Sequence, residues 1–382
     1  MISIWGFIID IEHLIFGVFA FFALIQFFYF GFFFLRFAFY NSEKKSHKKV
    51  SNAVSVVICA KNEHDNLEKL LPLILNQDYP DFEVIVVNDF SDDDSVFLLR
   101  NFEKKYSHLK VITLRENVNF FSGKKLALAV GIKSAKNDVI LLTDADCKVV
   151  GKNWIKLMQR HFDNGTDIVL GYSGYNKYPG FLNALIRFDT LSIAMQYFSY
   201  ALTGYAYMGV GRNLAYRKRL FIEAKGFTSH YKINSGDDDL FINQTAKKRN
   251  TCIELSKESF SYSEPKKTFS SWFYQKKRHL STAKYYKFSH KFRLGLYSLS
   301  QYLFFAAFIT TMFFLTPGKL MLIAGSVFLL RWVVLLLLYY NACKKFNERK
   351  LFIFSPLFEV IFLLLNPIFL ISNWFVKKNR WK

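Results

Sequence analysis

Four long apolar stretches constrain the fold of this chain more than any other feature. They cover Leu14–Ala38, Leu296–Thr316, Leu320–Tyr340 and Leu351–Ser372, and each is long enough to cross a bilayer as a helix. Because unpaired backbone polar groups are costly in hydrocarbon, such stretches must be helical there. The sequence therefore predicts an integral membrane protein with one anchor near its start and several apolar helices near its end.

Charge gives the expected orientation of the anchor. Asp10 and Glu12 precede the first apolar stretch, and the basic run SEKKSHKK (42–49) follows it. A cleaved signal peptide would be shorter and would carry its positive charge at the other end. Because basic flanks stay in the cytoplasm, we expect a retained anchor in the plasma or inner membrane, with the following domain cytoplasmic.

The net charge of +21 raises nucleic-acid binding as a competing explanation. The Lys and Arg residues, however, gather near the apolar stretches, and no motif of an RNA- or DNA-binding fold accompanies them. We therefore expect membrane lipids, and no nucleic acid, among the partners.

The orientation of the last apolar stretch stays open at this point. If Leu351–Ser372 crosses the membrane, the basic end VKKNRWK (376–382) lies outside, against the usual preference of basic residues for the cytoplasm. Pro356 and the Asn366–Pro367 pair could instead break this stretch into a re-entrant or interfacial element.

Between residues 50 and 293 the pattern is that of a folded domain in which strands alternate with helices. We predict strands at residues 54–60, 82–89, 111–113 and 139–144, and helices at residues 66–77 and 123–135. This alternation indicates parallel βαβ units in a doubly wound α/β sheet. The expected organisation is an anchor with its basic flank (1–49), a cytoplasmic α/β domain (50–293) and a C-terminal membrane domain (294–382).

Ligands of doubly wound sheets bind at the carboxyl ends of the strands, and polar residues follow the first predicted strand. Ala60, Asn62 and Glu63 form a loop that could line a nucleotide pocket. In the same loop, Asp65 or Asn66 is expected to cap the next helix.

Carboxylates follow two further strands. Asp89 ends the second, where it could accept a hydrogen bond from a nucleobase N–H or a ribose hydroxyl. Asp144 and Asp146 follow the apolar run 139–142, and two carboxylates beyond a buried strand are costly unless a cation lies between them. Mg²⁺ or Mn²⁺ carrying a diphosphate satisfies this requirement, whereas two solvated loop carboxylates are the alternative.

Two lysines and two glycines could also contact a ligand. Lys124 lies at the start of a predicted helix, beside 121–123, where free N–H groups and an ammonium could bind phosphate; a solvated pair of Lys124 and Lys125 is the alternative. Further along, Gly209 and Gly211 lie in an otherwise apolar segment, which suggests close approach of the backbone to a ligand.

Three consecutive aspartates, Asp237 to Asp239, precede another predicted helix. They could be an elaborate helix cap, which the helix dipole would favour. Alternatively, a carboxylate among like charges in a partly dry cleft has a raised pKa and can act as a general base.

The segment 270–286 mixes aromatic and basic residues at helical spacing, which predicts an amphipathic helix at the membrane surface with Trp272 and Phe273 embedded. Gln275, Arg278 and His279 lie at positions i, i+3 and i+4. They therefore share one face of the helix and could point into the cleft.

Five of these segments occur in an order that resembles a membrane-anchored, inverting glycosyltransferase of family 2 with the GT-A fold. They are VSVVICAKNE (54–63), FEVIVVNDFSDD (82–93), DAD (144–146), GDDD (236–239) and QKKRH (275–279). The resemblance covers residues 53–286 and extends to enzymes similar to cellulose synthase, hyaluronan synthase and ceramide glucosyltransferase.

The resemblance implies roles for the acidic residues. Asp89 would contact the base or ribose of a nucleotide, while Asp144 and Asp146 would hold Mg²⁺ or Mn²⁺ and the diphosphate, with Asp146 the more direct ligand. The Glu-Asp pair usual in the family is replaced here by Asp237-Asp238. We expect Asp238 to be the base, with Asp237 the second candidate.

The last motif bears on product length. QKKRH resembles the Gln-x-x-Arg-Trp motif of processive synthases, with His279 in place of Trp. That Trp normally lines the acceptor end, so the substitution weakens the likeness to processive enzymes.

The expected activity is transfer of a hexose or N-acetylhexosamine from a nucleotide sugar, UDP-linked in the first instance, to a lipid, lipid-linked or polysaccharide acceptor. A processive synthase that exports its polymer is the alternative, although four apolar stretches are few for a closed channel. A non-catalytic membrane scaffold is a further alternative, against which the full set of carboxylates argues.

Overall fold

A computed structural model describes residues 2–4, 7–41, 52–114, 124–162, 165–233 and 235–375. Three segments named above lie outside the described residues: the basic run 42–49, residues 121–123 before Lys124, and the basic end 376–382.

The strands alternate with helices through the middle of the chain. In chain order, the strands are β1 (Ile2–Ile4), β2 (Phe7–Ile9), β3 (Val54–Ala60), β4 (Phe82–Asp89), β5 (Leu109–Leu114), β6 (Val139–Asp144), β7 (Lys148–Val149), β8 (Ile168–Leu170), β9 (Ser173–Tyr175), β10 (Leu214–Arg217), β11 (Thr251–Ile253) and β12 (Ser261–Ser263). The α-helices are α1 (Ile11–Tyr29), α2 (Leu35–Ala38), α3 (His64–Leu75), α4 (Ser95–Lys105), α5 (Lys124–Ser134), α6 (Trp154–Gln159), α7 (Phe181–Leu202), α8 (Lys218–Glu223), α9 (Asp239–Thr245), α10 (Phe269–Leu280), α11 (Phe288–Phe314), α12 (Lys319–Lys345) and α13 (Ser355–Phe375).

The main sheet has seven strands in the order β11-β8-β10-β6-β3-β4-β5. β3, β4, β5 and β6 are mutually parallel where they pair, as the alternation of strands and helices predicts. The predicted strands at residues 54–60, 82–89 and 139–144 are confirmed to the residue, and the predicted 111–113 is part of a longer strand. The doubly wound α/β prediction is therefore confirmed for this half of the sheet.

The other half of the sheet is mixed. β10 pairs antiparallel with both β6 and β8, and β11 runs parallel to β8. A smaller sheet of β7, β12 and β9 lies beyond it. These strands are two to four residues long, which is too short for hydrophobic periodicity to identify them.

Continuous apolar runs make β3 and β4 the centre of the sheet, because both faces of a parallel strand are covered by helices. Every residue of β3 is buried. α5 packs closely against this centre, since a Cβ at Gly131 would lie 2.5 Å from Val57 Cγ1. Packing of this kind holds the carboxyl ends of the strands in fixed relative positions.

Four helical segments are long and apolar enough to cross a membrane: Ile11–Ala38, Phe288–Phe314, Lys319–Lys345 and Arg349–Ser372. The first includes a π-helical turn at Phe30–Phe34. It packs antiparallel along α11, so that Glu12 near its start accepts a hydrogen bond of 3.1 Å from the N–H of Thr316. The four apolar stretches predicted from the sequence all correspond to helices.

The alternative of a break at Asn366–Pro367 is wrong, whereas Pro356 lies in the first turn of α13, directly after a 3₁₀ helix at Arg349–Phe354. α13 runs through Pro367, which has no N–H to donate to the carbonyl of Leu363, four residues earlier. The hydroxyl of Tyr302 on α11 donates a hydrogen bond of 3.0 Å to that carbonyl instead. A side chain of the neighbouring helix thus replaces the missing backbone donor.

The predicted amphipathic helix exists as α10, followed by a 3₁₀ turn at Ala283–Tyr285. Trp272 and Phe273 pack on α13, whereas Phe269 and Tyr274 are exposed. Trp272 is buried with its ring centroid 5.5 Å from that of Phe369, and the Phe273 ring lies 4.9 Å from the same phenylalanine. The prediction that both aromatics are embedded in lipid is therefore wrong for Trp272, which is covered by protein.

Candidate active site

The strand register brings the predicted loops to one edge of the sheet. Cys59 pairs with Asp144 across β3 and β6, and Ala60 pairs with Asn88 across β3 and β4. The carboxyl ends of three parallel strands therefore lie side by side. This is the position at which doubly wound sheets bind ligands.

Asn62 connects the first two loops. Its backbone N–H donates to Ser91 Oγ at 2.9 Å, and its side-chain oxygen accepts from the N–H of Asp92 at 2.8 Å. Asn62 has a positive φ of 54°, a conformation that Asn tolerates better than most residues. These contacts give Asn62 a role in holding the two loops together.

The helix caps differ from the prediction. α3 begins at His64, so Asp65 and Asn66 lie inside it and neither caps it. The N–H of His64 donates instead to Asp93 Oδ2 at 3.1 Å, and the N–H of Ser95 donates to the other oxygen of the same carboxylate at 3.1 Å. Asp93 therefore serves the first turns of two helices. It lies just before α4, where Asp92 to Asp94 are the expected caps, but it lies 29 residues from His64, so a search next to α3 could not find it.

Asp89 is buried at the end of β4. Burial raises the pKa of its carboxyl, and the charge of Lys61 partly opposes that shift. A buried carboxyl needs a hydrogen-bond donor or a cation, which agrees with the predicted contact to a nucleotide.

A cavity of about 1140 Å³ opens beside the strand ends. It brings together most of the residues predicted from distant motifs, and those that line it are Glu63, Lys124, Asp144, Asp146, Asp237, Asp238, Gln275, Arg278 and His279. Of the other predicted site residues, Ala60, Asn62 and Asp89 are not among the described residues that line it. Ala60 ends β3, Asp89 ends β4, and Asn62 follows Ala60 in the loop after β3.

Lys124 joins two of the acidic motifs. Its ammonium lies 2.7 Å from Asp144 Oδ1 and 3.2 Å from Asp237 Oδ2. Although burial alone would lower the pKa of Lys124, the carboxylates of Asp144, Asp237 and Asp238 raise it well above its usual value. A permanently charged ammonium therefore sits among the carboxylates, and the solvated-pair alternative does not apply to it.

Lys125, its neighbour, points elsewhere. Its ammonium donates to the backbone carbonyls of His230 and Ile233, both at 2.8 Å. Burial lowers its pKa to about 8. The solvated alternative is therefore wrong for Lys125 as well, because it supports the loop that leads to Asp237.

Asp146 lies deeper in the wall than Asp144. Burial raises the pKa of its carboxyl, and the neighbouring charge of Asp144 raises it further. Arg212 opposes this shift, and its guanidinium is fixed by a hydrogen bond of 2.6 Å to Ser263 Oγ and by the face of the Tyr175 ring, 4.6 Å away. An added cation next to Asp144 and Asp146 would relieve their mutual repulsion.

Arg212 was not predicted as a site residue. The signal that could have indicated it was its position directly after Gly211, in the segment whose glycines suggest close approach to a ligand. Gly211 makes the predicted close approach, but to protein: its N–H donates to Asp238 Oδ2 at 2.8 Å, and a Cβ there would lie 3.4 Å from the Asp238 Cβ. Gly209 packs instead against Leu170 and Leu214.

Asp238 occupies the N-cap position of α9, and its carboxylate also accepts from the N–H of Asp239 at 2.7 Å. Burial raises its pKa to about 7, with the charges of Asp237 and Asp239 contributing. The helix-cap interpretation is confirmed for Asp238, and its role as a general base stays a prediction with which the raised pKa agrees. A carboxyl with this pKa exchanges protons readily at neutral pH, as a general base must.

The flanking aspartates have different surroundings. Burial would raise the pKa of Asp237, but Lys124 outweighs it and holds that pKa below its usual value. The buried carboxyl of Asp239 accepts hydrogen bonds from the hydroxyls of Thr282 and Tyr286, the latter at 2.8 Å. Asp239 thereby ties α9 to the segment that follows α10.

α10 presents Gln275, Arg278 and His279 to the cavity, as their spacing predicts. Desolvation in the cavity, followed by repulsion from Arg278 and Arg212, lowers the pKa of His279 to about 3. The imidazole is therefore neutral at pH 7 and offers one donor and one acceptor.

A buried ion pair fixes α10 against α7. Lys276 Nζ lies 2.5 Å and 2.7 Å from the two carboxylate oxygens of Asp189. Both side chains also line the cavity. The sequence offered no sign of this pair, because its members are separated by 87 residues.

A mixed sheet with carboxylates at the ends of its parallel strands, joined by Lys124 to a further aspartate cluster, is the arrangement that the resemblance to GT-A glycosyltransferases predicts. Residues 55–224 match the family described as Glycosyl transferase family 2. This match covers the segment in which the first three motifs of the resemblance lie.

Three similar proteins illustrate the range of relatives. A poly-beta-1,6-N-acetyl-D-glucosamine synthase from Staphylococcus epidermidis is 31% identical over 27% of this chain and 24% of its own length. A poly(ribitol-phosphate) beta-glucosyltransferase from Bacillus spizizenii is 32% identical over 31% and 18%. A beta-monoglucosyldiacylglycerol synthase from Trichormus variabilis is 34% identical over 25% and 20%. The chain thus matches less than a quarter of the length of these relatives.

Among solved structures, a mannosyltransferase from Pyrobaculum calidifontis in complex with GDP-Man and Mn²⁺ has a similar fold. It aligns with 93% of this chain and 99% of its own, with a TM-score of 0.54 and 17% sequence identity. This likeness confirms the predicted GT-A fold.

Proposed function

We propose that the protein is a membrane-bound, inverting glycosyltransferase that moves a sugar from a nucleotide-diphosphate sugar to a hydroxyl of a lipid or lipid-linked acceptor. The observation that carries the proposal is the carboxyl of Asp238, with a pKa of about 7, in the same cavity as Asp144, Asp146 and Lys124. A base for the acceptor and a site for a diphosphate therefore share one chamber.

In the proposed reaction, Asp238 removes the proton from the acceptor hydroxyl. The acceptor oxygen forms a bond to the anomeric carbon as the bond to the diphosphate oxygen breaks, which inverts the anomeric configuration. The nucleoside diphosphate leaves with the electron pair, and the proton stays on Asp238. The ammonium of Lys124, 2.7 Å from Asp144, stands where it would stabilise the charge that develops on the departing diphosphate.

A divalent cation fits the same wall of the cavity. Within the part of the chain that the structure describes, no three His, Cys, Asp or Glu side chains come together as a metal site. Mg²⁺ and Mn²⁺, however, are commonly held by one or two carboxylates together with substrate phosphates. The raised pKa of Asp146 beside Asp144 fits such an ion. These two residues would hold it, and when bound it neutralises charge on the diphosphate.

The solved mannosyltransferase, whose complex contains GDP-Man and Mn²⁺, agrees with a nucleotide-sugar donor and a divalent ion. That the donor is UDP-linked stays a prediction. Asp89, with Asn62 in the loop after β3, is the proposed contact for the nucleoside.

We further propose the domain organisation and orientation that the sequence predicts: an anchor (1–49), a cytoplasmic catalytic domain (50–293) and a membrane domain (294–382). Contact between Phe33 of the first span and Tyr200 of α7, whose ring centroids lie 4.3 Å apart, supports direct packing of catalytic domain on membrane helices. The name of the relative that makes monoglucosyldiacylglycerol supports a lipid acceptor.

The test is a donor screen with the full-length protein in membranes. A panel of UDP- and GDP-linked sugars is supplied with Mg²⁺ or Mn²⁺, and products are extracted into organic solvent and identified by mass spectrometry. We expect one donor to give a glycosylated lipid, and D238N to give none. No product with any donor, or the same yield from D238N, would contradict the proposal.

A further inference from the structure

The cavity continues from the carboxylates into the membrane helices. Beyond α10 it is lined by α11 from Lys291 to Gln301 and by α13 from Glu359 to Leu370. The lining there is mixed. Its apolar side chains include Leu294, Phe362, Leu363 and Leu370, and its polar side chains include Lys291, Ser298, Gln301, Glu359 and Asn366. One continuous chamber therefore joins a proton acceptor to hydrocarbon-like surfaces between membrane helices.

The chamber ends at a polar cluster that joins all four apolar segments. The Arg331 guanidinium of α12 donates to both oxygens of Glu359 on α13, at 2.5 Å and 3.1 Å. Gln301 of α11 donates to Glu359 at 2.6 Å, and Gln26 of α1 accepts from Arg331 at 3.1 Å. Arg331 is fully buried. Charges at this depth are tolerated only when paired, so the cluster holds the helices together.

Along α11 and α12, the lining of the chamber extends no further than this polar cluster. Among the described residues, its α11 lining ends at Gln301, in the middle of the helix, and α12 contributes Tyr339, close to the end that meets the catalytic domain. The Tyr302 hydroxyl bonded to the Leu363 carbonyl adds a second direct contact between α11 and α13 at this point. The described residues of α11 after Gln301 and of α12 before Tyr339 do not line the chamber, so it does not continue between these two helices as a pore.

α11 presents an open surface on the side nearer the catalytic domain. A Cβ built on Gly295 meets no atom within 4 Å, and Gly295, Ser298 and Leu294 line the chamber opposite Asn366 and Leu370 of α13. The two helices are thus bonded at the closed end and separated by the chamber closer to Asp238.

We propose that this chamber is a dead-end binding site for one membrane amphiphile, which has a hydroxyl-bearing headgroup and hydrocarbon chains. Its hydroxyl lies at Asp238, and its chains lie between α11 and α13 on Leu294, Phe362 and Leu363. Burying hydrocarbon chains against these three apolar side chains is favourable, whereas a water-soluble glycan would gain little from contact with them. This inference rests on the proposed glycosyl transfer for its use, but the binding site can be tested without it.

The probe is a diacylglycerol with a photoreactive diazirine in one acyl chain, incorporated into phosphatidylcholine vesicles that contain the full-length protein. After irradiation, labelled residues are located by peptide mass spectrometry. We expect labels on the chamber faces of α11 and α13, displaced by excess unlabelled diacylglycerol. Labelling that is not displaced, or that is as strong on the outward Leu364 as on Leu363, would overturn the proposal.

Two glycine variants form a matched pair. G295L fills the chamber, whereas G325L on α12 also meets no atom within 4 Å but lies outside the chamber lining. Both substitutions replace a poor helix former by a good one, so neither should unfold its helix. We expect displaceable labelling to be lost in G295L and retained in G325L. Equal labelling of the two variants would overturn the proposal.

Activity measurements separate this inference from the proposed function. In G295L, transfer to diacylglycerol should be lost, whereas G325L should keep both this transfer and the release of nucleoside diphosphate from the donor. If the wild type cleaves no donor, the proposed function is wrong. The labelling experiment still shows whether a lipid binds in the chamber. A polymeric product from wild type would contradict the closed end, because each acceptor should receive a single sugar.

Discussion

The pH dependence of catalysis provides a test of the general base. With a pKa of about 7, Asp238 is about one tenth ionised at pH 6 and about nine tenths ionised at pH 8. Because the base must be ionised to accept a proton, kcat/KM for the acceptor should rise about tenfold between these pH values and then level off.

The substitution D237N should move this profile. Asp237 is one of the charges that raise the pKa of Asp238, and a unit charge about 4 Å away contributes about 1 to 4 kcal/mol, depending on the local dielectric. Because burial is the largest cause of the raised pKa of Asp238, removing the charge of Asp237 should lower that pKa by roughly one unit. The increase in kcat/KM between pH 6 and pH 8 should then fall from about tenfold to about twofold.

The assay is the release of nucleoside diphosphate in the presence of acceptor, measured across pH for wild type, D237N and D238N. D238N should lose about 10² to 10⁴ in rate, and its remaining rate should not rise between pH 6 and pH 8. If D237N is inactive at every pH while D238N keeps the wild-type profile, Asp237 is the base and the assignment is wrong. If kcat/KM of D237N rises with pH as that of the wild type does, the charge of Asp237 does not raise the pKa of Asp238.

The remaining predictions concern stability. Replacing Lys276 by Met should cost about 3 to 5 kcal/mol, because it leaves the buried Asp189 carboxylate unpaired, and the double variant K276M/D189L should recover much of the loss in thermal unfolding; no recovery would contradict the pairing. Y302F should lower stability by about 1 kcal/mol, since the Leu363 carbonyl loses its donor, whereas Y340F on an exposed tyrosine of α12 should be neutral; equal melting temperatures for the two variants would contradict this account. G131A should cost about 1 to 3 kcal/mol by overpacking, and unchanged chemical denaturation would contradict it.

Local patterns were sufficient for part of this structure. The runs at β3, β4 and β6 are apolar throughout, so their positions and the polar residues that follow them could be read directly. The same applies to the apolar helices and to the shared face of Gln275, Arg278 and His279. In each case the signal lies within one short stretch of sequence.

Contacts between distant segments could not be predicted in this way. Arg212 reaches Asp146 because the short strand β10 pairs antiparallel beside β6, and nothing in its own segment specifies that partner. Pro367 by itself suggests a broken helix, but Tyr302 on the neighbouring helix α11 supplies the hydrogen-bond donor that the proline lacks. Likewise, the cap of α3 comes from Asp93 in the next loop. Tertiary partners outweigh the local preference at each of these positions.

The most direct test of the central claim is cleavage of the nucleotide sugar at the Asp144 and Asp146 wall. Release of nucleoside diphosphate is measured for wild type, for D146N, and for D65N as a control on the exposed face of α3, each with Mn²⁺ and with a chelator. We predict release by wild type and D65N with Mn²⁺, and its loss in D146N or with chelator. Undiminished release by D146N, or by wild type with chelator, would contradict the account.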